Sequence, residues 1–201
     1  MLGLPKSTEM SKALPKKAVF DMFKPSAADR NLFDEQISRM SIVSELSPQT
    51  LAVVANEEVS AIYVVLVTLK TPECDKKNIA LLSKLIDQRI LFVLQYGDDA
   101  RLAAYRIGKV IVSDIKPLKD WTLSLTGLDL AGIWENAIAQ IGDIDISGGK
   151  ELDVVITKNE QRDKLLKKIA TLENKTAKEK QPRRKWEFAE ELRKLKTELG
   201  D

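Results

Sequence analysis

The stretch 58-EVSAIYVVLVTLK-70 decides how the rest of this 201-residue chain is read. Val59, Ala61, Tyr63, Val65, Val67 and Leu69 fall on one side of an extended segment and Ile62, Val64 and Leu66 on the other, so both faces are apolar and rich in β-branched residues. Such a segment needs cover on both sides, which is the signature of a central strand. Downstream, 89-RILFVLQYG-97 repeats the pattern, and between the two 75-DKKNIALLSKLIDQ-88 places Ile79, Leu82, Leu85 and Ile86 on one helical stripe with Asp75 as its cap. Strand, helix and strand in this spacing predict a βαβ unit with a parallel strand pair.

Working outward, 97-GDDA-100 has turn composition and joins the second strand to 101-RLAAYRI-107 as a hairpin. Extended segments are expected at 109-KVIVSDI-115 and 121-WTLSLTG-127. In 129-DLAGIWENAIAQIG-142, Leu130, Ile133, Trp134, Ala137, Ile138 and Ile141 recur at helical spacing, with Asp129 as cap and Gly142 as stop. On the N-terminal side, Ser26 followed by Asp29 resembles a capping box, and Leu32, Phe33, Ile37, Met40 and Ile42 or Val43 predict a helix over about 27–45 that Pro48 ends. Pro5, Pro15 and Pro25 forbid a continuous helix before it. The first 25 residues are therefore expected to form an extended arm with one short helical turn, anchored by Leu4, Leu14, Val19, Phe20 and Phe23.

Beyond the glycine-bearing 145-DISGGKELD-153 the composition changes. Leu165, Ile169 and Leu172 make one stripe, and Trp186, Ala189, Leu192, Leu195 and Leu199 make another with near-heptad spacing. Two helices joined near Gln181–Pro182 form an antiparallel hairpin. A two-helix hairpin cannot bury its stripe alone, so it must dock on the body, on a second copy as a homodimer, or on another protein. The expected fold class is α+β or α/β: a mixed β-sheet flanked by helices, with a C-terminal antiparallel helical hairpin. Its divisions are a basic arm over 1–25, the sheet body over 26–157 and the basic hairpin over 158–201.

Composition narrows the chemistry. The chain has no histidine and a single cysteine, Cys74, which removes an internal disulfide, any multi-cysteine metal site and the most common general acid/base. No apolar run approaches the ~18 residues a membrane span needs, and no apolar segment follows the first lysines as in a secretory signal, so the expected location is the cytoplasm. The net charge of +2 is unevenly spread. Residues 1–24 carry five lysines against Glu9 and Asp21, and residues 158–201 carry fourteen Lys/Arg against nine acids, which leaves the middle acidic. Basic ends either fold back on that body or serve a polyanionic partner.

In the opening MLGLPKST, Lys6, Ser7 and Thr8 imitate the end of a phosphate-binding loop, but Pro5 stands where the loop needs glycine and has no N–H to offer. Glu57 and Glu58 before the central strand and Lys70 after it suggest a divergent metal-dependent nuclease, yet Thr68 occupies the place of the second acid. Asp98 and Asp99 with Arg101 read as a turn, and Asp143, Asp145, Glu151 and Asp153 lack calcium-loop spacing. Lys76, Lys77 and a helix start could lower the Cys74 thiol pKa, but no histidine exists to activate it. No catalytic residue, metal site or cofactor is assigned. At the hairpin tip, Lys180, Arg183, Arg184 and Lys185 beside Trp186 could contact a phosphate backbone while the indole stacks on a base, unless the indole lies in the hairpin seam. Lys6, Lys12, Lys16 and Lys17 form a candidate basic arm, and Leu192, Leu195 and Leu199 a candidate docking stripe.

Ordered motifs along nearly the whole chain carry a resemblance: LPKST and LPKK near the start, LSPQT ending at Thr50, ILFVLQYG at 90–97, GLDLAGIWENAIAQIG at 127–142 and QPRRKWEFAEELRKLKTEL at 181–199. Together they resemble an uncharacterised bacterial domain-of-unknown-function family encoded beside DNA methyltransferases and DEAD/DEAH-box helicases in restriction-type defence operons. The resemblance implies that context, and together with the hairpin it leads to the expectation of a non-enzymatic accessory protein whose partner is a helicase or DNA methyltransferase. The alternative is a direct DNA- or RNA-binding protein that uses its basic ends.

Overall fold

A computed structural model describes residues 1–200, which divide into two compact units, Met1–Asp145 and the segment from Ile146 onward. The first unit is a mixed sheet of seven strands: β1 (Glu9–Ala13), β2 (Ile37–Leu46), β3 (Ile62–Leu69), β4 (Arg89–Tyr96), β5 (Asp99–Arg106), β6 (Lys109–Val112) and the short β7 (Lys116–Pro117). Their order is β1-β2-β3-β4-β5-β6, with β7 also paired to β5. Only β3 and β4 run parallel. The expected βαβ unit is this pair, joined through α3 (Lys76–Leu82), whose Asp75 carboxylate accepts from the Lys77 N–H at 2.7 Å.

Period-two alternation divides the sheet into two apolar faces. Ile42, Val65, Phe92, Ala103 and Val112 form one cross-strand row in register; the first four belong to a core shared with Val19 of α1 (Lys16–Phe23), Phe33 of α2 (Ala27–Gln36) and Ile79 and Leu82 of α3, and partly buried Val112 packs against it. Val64, Leu91, Ala104 and Ile111 form the row on the opposite face. That face carries α4 (Leu130–Gly142): a Cβ on Gly142 would come within 3.0 Å of the Ile111 side chain. Burial on both faces of β3 and β4 follows directly.

Helix α4 begins where the sequence places it, with Asp129 accepting from the Gly132 N–H at 2.8 Å. Ser26 likewise caps α2 by accepting from Asp29 N–H at 3.2 Å. The helix expected over 27–45 is corrected, since α2 ends at Gln36 and β2 takes over. Bulges between Ile37 and Arg39 and between Ile42 and Ser44 explain the misreading. The first bulge inserts an extra residue, so buried Ile37 and Met40 stand three apart, as on a helix, within a strand.

The extended segment expected over 121–127 is not a strand. Its backbone is satisfied by side-chain amides of α4: Gln140 accepts from Ser124 N–H at 3.1 Å and donates to Thr122 O at 2.7 Å, and Asn136 donates to Thr126 O at 2.9 Å. Gly127, with φ +155°, lies so close to the start of α4 that a Cβ would be 2.5 Å from Ile133 N. The first 25 residues include a 3-10 turn at Lys6–Thr8, edge strand β1 and α1, with Val19 fully buried.

The second unit is a helical hairpin of α5 (Leu152–Lys178) and α6 (Pro182–Gly200), which pack together. Pro182 opens α6, where a missing N–H costs nothing. No helix among the described residues is long and apolar enough to cross a membrane.

Candidate contact surface on the helical hairpin

In the C-terminal part of α5, Leu165, Ile169, Leu172 and Thr176 are withdrawn from solvent at alternating spacings of four and three. On α6 the withdrawn residues are Phe188, Leu192, Leu195 and Leu199, with the same spacing. Two such stripes make a short coiled-coil seam. Lys196 reaches Glu173 on the other helix at 2.7 Å.

The predicted Leu192, Leu195 and Leu199 therefore lie on the seam stripe, and Phe188 takes the place expected for Trp186 and Ala189. The signal for Phe188 was its four-residue spacing to Leu192. No residue of α6 is fully buried, and these four are only partly buried. Ala189, Leu192, Arg193, Lys196 and Thr197 line a shallow groove along the helix.

Trp186 is 65% exposed, so the indole is outside the seam. It stands among exposed Arg183, Arg184 and Lys185 in the first turns of α6, with exposed Lys180 just before them. Arg183 pairs with Glu187 at 3.3 Å. The Glu179 carboxylate accepts from the backbone N–H groups of Lys180 and Gln181, each at 2.9 Å. Three cations at a helix N-terminus face the positive end of the helix dipole, an arrangement that an external anion relieves.

The other candidate residues are dispersed. Lys6, Lys12 and Lys17 are exposed, but Lys16 is held by Asp34 at 2.9 Å. That hydrogen bond lowers the Asp34 pKa from its ordinary value; burial opposes the shift, and the charges of Lys16, Arg30 and Lys70 add to it. Glu57 and Glu58 lie before the eight-residue β3 and Lys70 lies after it, a separation of about 25 Å that no single metal bridges. The Lys70 ammonium instead donates to Asp34 O at 2.6 Å. Among the described residues no three His, Cys, Asp or Glu side chains converge as a metal site. Cys74 is half-buried, and its thiol is pushed up to about 12, chiefly by burial and then by the Asp75 charge, with an Asn78 hydrogen bond opposing. The lysines beside it do not activate it.

The family model for a domain of unknown function, DUF4391, matches residues 2–199. The chain belongs to this family. The match spans both the sheet unit and the hairpin, so the two are parts of one family pattern. No curated protein matches the chain, and no solved structure matches it.

Proposed function

We propose that the chain is a non-enzymatic, cytoplasmic accessory protein of a bacterial DNA restriction-modification or helicase defence system, and that its C-terminal hairpin is gripped by a partner protein. The observation that carries this reading is the state of α6: its stripe of Phe188, Leu192, Leu195 and Leu199 is only partly buried although α5 packs along it. Apolar residues left partly accessible along one helix face are what a partner helix or groove covers. The partner is the DNA methyltransferase or the helicase of the same operon.

Co-expression with each enzyme followed by size-exclusion chromatography tests the proposal. Co-elution that survives about 500 mM salt is expected, because an apolar contact is little screened. Ala189→Glu and Thr197→Glu, in the groove beside the stripe, should abolish it while leaving the helical circular dichroism unchanged. Absence of co-elution with either enzyme would end the reading.

Exposed Trp186 beside Arg184 and Lys185 favours a second reading, direct contact with nucleic acid. Labelled single- and double-stranded DNA and RNA would then bind, with affinity falling steeply between about 50 and 200 mM salt. Arg184→Ala with Lys185→Ala should reduce that salt dependence, and Trp186→Ala should cost single-strand affinity by about 1–3 kcal/mol. Equal binding by the variants and the parent would remove this reading.

A further inference from the structure

The sheet body holds a cavity that the turn-like sequence around Arg101 conceals. At the carboxyl ends of the parallel pair β3 and β4, where ligands gather in open α/β sheets, a cavity of about 210 Å³ is lined by Leu69, Cys74, Leu94, Val112, Ile115 and Arg101. Arg101 lies on the same face of β5 as Ala103 and pairs across to Leu94. Its Nε is shielded from solvent, and no protein group accepts its hydrogen. A buried guanidinium N–H without a protein acceptor is costly, and an acceptor from outside the chain would offset that cost.

The walls are set in advance. Gln36, the last residue of α2, accepts from Asp75 N–H at 2.8 Å and from the Asn78 amide at 2.9 Å, and thereby fixes the loop that carries Cys74. On the other side, Ser113 accepts from Leu102 N–H at 2.9 Å and holds the end of β6 against β5. The lining carries Lys76 and Arg101 against Glu73 and Asp99, a net charge near zero that disfavours a multiply charged anion. The volume lies below the several hundred Å³ of drug-sized pockets.

We infer that this cavity binds a small organic monocarboxylate, its two oxygens on the Arg101 fork and its hydrocarbon part against Leu69, Leu94, Val112 and Ile115. The guanidinium edge offers parallel donors that match a carboxylate. The inference stands independently of the hairpin reading, because every residue it uses belongs to the sheet unit.

Titration of the isotope-labelled full chain with 3-methylbutanoate, followed by NMR, tests it. Saturable shifts by about 10 mM at the Arg101 Nε–H and at the amides of Leu69, Cys74, Leu94 and Ile115 are expected. 3-Methylbutylamine, with the same hydrocarbon and the opposite charge, should give none. Arg101→Met, which keeps length and adds apolar bulk, should weaken binding at least about tenfold, and Arg101→Lys should fall between. Equal shifts in the parent and both variants, or shifts confined to residues outside the cavity, would overturn the assignment. Inorganic phosphate binding as tightly as the carboxylate would overturn the monocarboxylate class.

Discussion

The sheet body and the hairpin solve burial in different ways. In the body, the row from Ile42 to Val112 is covered by helices, and Phe33, Phe92 and Leu102 are almost wholly removed from water. In the hairpin, α6 contributes a correct heptad stripe but no fully buried residue. The body's stability is therefore expected to rest on dense packing, whereas the hairpin leaves part of its apolar stripe accessible. The two also divide the proposed work, since the cavity at Arg101 needs rigid walls and the hairpin face needs accessibility.

The sharpest way to break this comparison is truncation. Phe92→Ala should lower stability by about 4 kcal/mol in urea unfolding, because the cavity it leaves lies between close-packed rows. Leu195→Ala on α6, where the side chain is only half-buried, should cost about 1 kcal/mol. Equal losses would mean that the hairpin seam is as dense as the body core. Next in size is Gly127→Ala. With φ +155° and Ile133 N only 2.5 Å from the added Cβ, the loop must shift, at an expected cost of about 2–3 kcal/mol, read as a lower urea midpoint. Asp129→Ala, which removes the cap of the same helix, should cost about 1 kcal/mol.

How much of this was legible follows from how local each signal is. The parallel pair and α4 could be read because double-faced apolar runs, a cap and a helical stripe lie within single segments. Strand β2 was misread because bulges are set by its pairing with β3, which lies beyond a long loop in sequence. The seam is half legible: spacing places Leu192, Leu195 and Leu199 on one stripe, but only packed helices decide whether position 186 or 188 faces inward. The cavity was not legible at all. Its walls come from the loop after β3, the end of β4, β5 and the segment after β6, and Arg101 taken alone reads as a residue following a turn.

The smallest expected effect separates charge from packing within the body. Asp34 joins α2 to α1 through Lys16, and its pKa is lowered mainly by that hydrogen bond. A carboxylate with a depressed native pKa stabilises the fold above its unfolded value of 3.8, and that contribution disappears as pH falls from there through the lower native value. Asp34→Asn should therefore lower stability slightly at neutral pH and converge with the parent in strong acid. The side chain is 45% exposed, so the difference should be small and should shrink further with salt. A gap that persisted unchanged below the native pKa would show that Asp34 acts through shape alone. Convergence would show that Asp34 acts through its charge, which trims a contact between α1 and α2 where Phe20 and Phe33 also meet edge to face.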